Sequence, residues 1–129
     1  MAGIALFVQI VAYPLFARVA ERDLPGYEDA HASRTTIVVG PLMAVEGATA
    51  LLLAIDPPTG IGRVLPILGL VLLLTIWLST FLVQVPIHAA ISGGAGRIQV
   101  RALVVRNWPR TLAWLARAGV VAAMLSRRR

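Results

Sequence analysis

The chain contains neither cysteine nor lysine. The first absence excludes disulfides, thiol nucleophiles and thiolate metal sites. The second makes arginine the sole source of its 12 basic residues, and it points to a GC-rich, bacterial genome. Acids are scarce, 6 in all, and charged residues make up 14% of the chain, against about 25% in an ordinary soluble domain. No carboxylate pair is available for acid–base work, and no serine–histidine–acid set is visible. The glycine-rich Ser92-Gly93-Gly94-Ala95-Gly96 lacks the Gly-Lys-Ser/Thr ending of a phosphate loop.

What is present is hydrocarbon: 58% of the 129 residues are hydrophobic. A soluble domain this short cannot hide so much apolar surface from water. The composition predicts an all-α, four-helix transmembrane bundle forming a single integral membrane domain over residues 1–129. Its spans are read at about 2–19, 35–55, 64–85 and 109–125, each near the length that crosses a hydrocarbon core of ~30 Å. Their backbones must be helical because lipid offers no hydrogen-bond partner. Met1 to Ala20 is read as a mature helix, since no basic region or cleavage site marks a signal peptide.

Asp56-Pro57-Pro58-Thr59-Gly60 reads as a tight turn between helices two and three. Pro25, followed by Glu28 and Asp29, is a helix-start signal that places the beginning of helix two outside the membrane. Gly40-Pro41 should kink that helix. Residues 97–108 read as an amphipathic piece leading into helix four. With four spans both termini share one face, side A, and the longer connections lie on side B. Side B carries Arg18, Arg22, Arg34, Arg97, Arg101 and Arg106, with Arg110 at its border; side A carries Arg63 and Arg127–Arg129. The positive-inside rule then places side B in the cytoplasm and the termini outside an inner cell membrane. Arginines spaced along a membrane protein in this way imply a lipid bilayer as partner and no nucleic acid.

The polar residues within apolar runs are the candidates for function. Glu46 is the only acid inside a span, roughly 16 Å deep from Thr35, and Arg117 lies roughly 12 Å deep from Pro109. Acid and base at matching depth should form a structural ion pair. Near side B, Trp77, Gln84 and His88 share one face of helix three. His31, Tyr13 with Gln9 one turn away, Asn107 and Arg110 converge on the same end of the bundle. Tyr13, His31 and His88 are candidates for proton transfer; Gln84, Asn107 and Arg110 are candidates for holding an anionic or carbonyl-bearing ligand. The spacing matches no local metal motif. His31, Glu46 and His88 form only a weak two-histidine, one-carboxylate set, and a haem between the histidines is the other option. The sequence does not name a cofactor. Gly40, Ala44 and Ala48 repeat every four residues roughly opposite Glu46, a face suited to a neighbouring helix or a second subunit in a homo-oligomer.

Taken together, Tyr13-Pro14-Leu15-Phe16, His31, the Gly40–Glu46 stretch, "QVPIH" at Gln84–His88 and "NWPRTLAWLAR" at Asn107–Arg117 resemble a bacterial family. It comprises small four-helix membrane proteins similar to the anthrone-oxygenase-like group. Proline stands at 109 where that family usually has an aliphatic residue, which should break or bend helix four. The resemblance implies cofactor-free oxygenation of an aromatic, polyketide-like substrate. Two functions follow as expectations. One is a membrane protein binding a lipophilic carbonyl or quinone-like molecule, with oxidoreductase or oxygenase activity. The other is a non-enzymatic accessory subunit whose polar cluster only fixes helix packing.

Overall fold

The computed structural model describes residues 1–127; Arg128 and Arg129 of the expected basic tail lie outside them. Five helical segments account for nearly all of it: α1 (Ala2–Phe16), α2 (Leu24–Ile55), α3 (Val64–Ser92), α4 (Gly96–Arg106) and α5 (Trp108–Arg127). No strand occurs among the described residues. The helical ladder continues from α4 into α5, because Asn107 N–H donates to Leu103 O at 3.2 Å and Thr111 N–H to Asn107 O at 3.0 Å. The architecture is therefore an all-α bundle of four rods. Pro109, expected to break or bend the last rod, occupies the second position of α5. There its missing N–H is cheaply tolerated.

The rods extend beyond the apolar runs that announce them. α2 begins at Leu24 rather than Thr35, with Pro25 in its first turn as expected. α3 runs past Val85 to Ser92, and α1 ends at Phe16 short of Val19. Hydropathy marks where a helix can meet lipid, whereas the hydrogen-bond ladder also runs through the polar Leu24–Arg34 segment. Two helices, Glu21–Ile55 and Val64–Ser92, are long and apolar enough to cross a membrane. α1 is shorter, about 22 Å at 1.5 Å per residue, and the last rod is interrupted by arginines.

Two helices contain a π turn, each two residues before a proline. In α1, residues Val8–Ala12 open so that Tyr13 N–H donates to Val8 O. In α3, Thr80–Gln84 open so that Val85 N–H donates to Thr80 O. A proline ring strikes the carbonyl four residues back in a regular helix. A widened turn ahead of Pro14 and Pro86 moves that carbonyl aside. Both π turns carry a buried glutamine, Gln9 and Gln84.

Helix packing leaves two separate apolar clusters. One gathers Tyr13, Phe16, Leu24, Ile87, Ile91, Val100 and Leu103 at the side-B end. The other joins Ala5, Ala50, Leu73, Ile76 and Trp114. α2 meets α3 along Val64–Ser79 and again along Val85–Ser92, its main helix–helix contacts. Gly47 sits at the first of these, where an added Cβ would come within 2.9 Å of the Trp77 ring. Between the two clusters, α2 stands off from the other helices and encloses a cavity. Gly40 and Ala44 line that cavity along its exposed edge.

Candidate functional site

The cavity measures about 700 Å³, within the range that holds a small molecule. Most of its wall is apolar, from Ile4, Val8, Val39, Met43, Phe81 and Val85. Its polar groups come from all four rods: Tyr13 of α1, Glu28 and His31 of α2, Gln84 and His88 of α3, and Arg110 of α5.

A chain of hydrogen bonds runs through three of these. The Glu28 carboxylate, fully buried, lies 2.6 Å from His88 Nδ1. His88 Nε2 lies 3.0 Å from the Tyr13 hydroxyl. An ionised carboxylate only accepts, so Nδ1 carries the proton that Glu28 holds. The neutral ring then offers Nε2 as acceptor, and Tyr13 O–H donates to it. The Tyr13 oxygen keeps its lone pairs for a donor in the cavity. The three side chains thus form a continuous hydrogen-bonded chain from the cavity to the buried carboxylate.

Aromatic rings brace the relay. His31 stacks on His88 with centroids 6.1 Å apart and planes 18° from parallel. Phe16 meets His31 edge-on at 5.0 Å and Tyr27 at 4.8 Å. His31 Nε2 lies 3.4 Å from Thr35 Oγ1, one turn along α2. Both nitrogens of His88 are engaged, and the two imidazoles face each other, so they cannot hold a haem iron between them. Glu46 does not join them, and no group of three or more metal-type ligands occurs among the described residues. The His31–Glu46–His88 set is therefore not assembled; the acid that reaches His88 is Glu28.

Arg110 is fixed by two of its nitrogens. Nε donates to Thr80 Oγ1 at 2.9 Å and Nη1 to Asn107 Oδ1 at 3.2 Å. Thr80 opens the π turn of α3 and donates its own hydroxyl to Ile76 O at 2.8 Å. Asn107 is absent from the cavity wall. It is fully buried and donates to Gln9 Oε1 at 2.8 Å and Thr111 Oγ1 at 3.2 Å. Gln9 in turn donates to Val104 O at 3.0 Å. Asn107, read from sequence as a ligand contact, instead positions Arg110 and ties α1 to the last rod.

Glu46 and Arg117 meet as their depths suggested, Nε to Oε2 at 3.0 Å, and Arg117 Nη1 also donates to Gly69 O at 2.9 Å. The Met1 amino group lies 3.3 Å from the other Glu46 oxygen. Neither Glu46 nor Arg117 lines the cavity.

Buried polar atoms in proteins almost always have partners. Among the described residues, five buried side-chain atoms have none: Glu28 Oε2, both amide atoms of Gln84, and the indole nitrogens of Trp77 and Trp114. All four residues line this one cavity. Glu28 was legible from sequence only as a helix-start acid. Its spacing from His31 and Thr35, three and seven residues, places all three on one helix face, but which face turns inward is set by the fold. Compared with known proteins, the chain matches no family model, no curated protein and no solved structure.

Proposed function

We propose that the chain is an integral membrane protein that binds a lipophilic carbonyl or quinone-like molecule in this cavity. In that reading, Tyr13, His88 and Glu28 exchange a proton with the ligand's oxygen. The observation that carries the proposal is that the four residues bearing the five unpartnered buried polar atoms among the described residues all line this one cavity. A quinone carbonyl can accept from N–H groups such as those of Gln84, and the hydroxyl of its reduced, phenolic form can donate to an acceptor such as Tyr13 Oη or Glu28 Oε2. Arg110 offers positive charge for an oxygen that becomes anionic on losing its proton.

The membrane reading rests on the two long apolar helices and on exposed side chains such as Ile37, Leu52, Val64 and Leu82, each more than 60% accessible. Soluble monomers seldom expose apolar patches beyond a few hundred Å². Side B, with more arginines, is assigned to the cytoplasm. A chain without cysteine makes this simple to check. Single cysteines at Thr59 and Ala95, both exposed, should be labelled from opposite sides of sealed vesicles; labelling of both from one side contradicts the topology.

A non-enzymatic packing role accounts for part of the molecule. The Gln9–Asn107–Thr111 and Glu46–Arg117–Gly69 networks find their partners within the protein and need no ligand. Glu28 Oε2, the Gln84 amide and the indole nitrogens of Trp77 and Trp114 do not.

Trp77 and Trp114 line the cavity, so a bound quinone should quench tryptophan fluorescence. Menadione titrated into protein in nanodiscs should give saturable quenching. His88→Ala and Gln84→Leu should each weaken it about tenfold, the equivalent of 1.4 kcal/mol. Absence of saturable quenching, or affinity unchanged in both variants, contradicts the proposal.

A further inference from the structure

The cavity wall is not equally covered on all sides. Its α1 residues, Ile4, Ala5, Val8 and Tyr13, are buried or half-buried. The exposed ones fall along two edges: Thr36, Gly40 and Ala44 on α2, and Phe81, Val85 and Ala89 on α3. Each set repeats every four residues, so each is one edge of its helix, about 12 Å long. The edges face each other, because Gly47, one turn beyond the α2 set, rests on Trp77 of α3. The gap between them coincides with the π turn of α3, which α2 bridges above and below.

We propose that this gap is a lateral window. The ligand's polar ring would lie inside against Tyr13, Gln84 and His88, while a hydrocarbon tail leaves between α2 and α3 into the bilayer. The substrate class is then a tail-bearing lipid, such as a polyprenylated or alkylated quinone or phenol, loaded sideways from the membrane. This rests on the ligand site proposed above and adds its route and tail.

The chemistry of the rim fits. Neither edge carries a charge. Phe81 is 60% exposed and Val85 48%, and the Thr36 hydroxyl is occupied by Ala32 O at 2.8 Å. Such a rim meets hydrocarbon without loss, whereas a water-facing mouth would be polar. The unpartnered Gln84 amide is buried at the inner end. Polar demand is thus deep and apolar tolerance is at the opening, the order a head-first amphiphile requires. Gly40 keeps the rim open: a Cβ there would meet nothing nearer than Thr36 Cγ2 at 4.0 Å. A larger side chain fits on the helix and fills the window instead of clashing.

The test uses ubiquinone with a polyprenyl tail too long for the cavity to enclose, and the same benzoquinone head without a tail. Both are titrated by tryptophan quenching in nanodiscs, with probe expressed as mole fraction in lipid so that partitioning cancels. Wild type should bind both within about twofold. Gly40→Leu should keep the tail-less probe and lose the tailed one by about tenfold, with no fall in Tm, since leucine is the better helix former. Val85→Leu on the facing edge should shift the ratio of tailed to tail-less affinity in the same direction and covers the case in which Gly40→Leu fails to fold. Rejection of the tailed probe by wild type, or equal retention of both probes in the two variants, overturns the window while leaving the ligand site standing. If wild type binds neither probe, site and window fall together.

Discussion

Glu28 decides the protonation pattern of the relay. Its Oε1 fixes the proton on His88 Nδ1, which makes Nε2 an acceptor for Tyr13. A glutamine at 28 keeps the size but brings an N–H₂ that can donate, so the ring is free to turn its tautomer around. Imidazole nitrogen NMR of wild type should show a protonated Nδ1 and an unprotonated Nε2. In Glu28→Gln that asymmetry should weaken or reverse, and quinone quenching should weaken by about tenfold or more, since bonds to charged groups contribute roughly 1.5–3 kcal/mol. Unchanged nitrogen shifts would remove Glu28 from the relay. This is also where the sequence was hardest to read. His88 and Tyr13 stand out as polar groups in apolar runs. Glu28 lies beside exposed Asp29 in a charged segment, and nothing local says which of the two acids turns inward. Only the fold decides, because the inward face depends on where α1 and α3 lie.

At the scale of elements, the prolines were legible and their consequence was not. Pro14 and Pro86 stand inside apolar helical runs, where a kink, a break and a π turn all relieve the same clash. Here each π turn sets the register of a functional pair: Gln9 and Tyr13 in α1, Gln84 and His88 in α3. Pro86→Ala restores an N–H and lets Thr80–Gln84 tighten into a regular helix. The Tm should hold or rise, because an interior proline costs a helix about 3 kcal/mol. Quinone affinity should nevertheless fall about tenfold, since Gln84 rotates relative to His88 and Thr80 relative to Arg110. A variant that loses stability and affinity together would show the π turn to be a packing feature alone. The span boundaries carry a similar lesson. Hydropathy located the parts of α2 and α3 that suit lipid but stopped short of Leu24–Arg34 and Pro86–Ser92, the polar ends that hold Glu28, His31 and His88.

For the whole molecule, the question under the proposed membrane setting is what holds four rods together when lipid, as apolar as their cores, supplies little drive for helix association. The pair of Glu46 and Arg117 answers part of it by joining α2 to α5, with the Gly69 carbonyl adding α3. Its depth match was readable from residue counting, because a helix rises by a fixed step and an unpaired charge in hydrocarbon is intolerable. Its relation to the cavity was not: the pair lies outside the wall and so sets helix position rather than ligand chemistry. That separation can be measured. Arg117→Met leaves the Glu46 charge without its guanidinium, and Glu46→Leu strands the guanidinium. Each should lower stability by about 3–5 kcal/mol, the usual result of breaking one half of a buried pair. The double variant Glu46→Leu with Arg117→Met removes both charges of the pair and should recover most of that loss, with only the Met1 amino group left without its carboxylate. Menadione quenching should be nearly unchanged in the double variant. If the double variant is instead as unstable as the single ones, the pair contributes attraction beyond cancelling its own burial, and it is then a main source of the α2–α5 association.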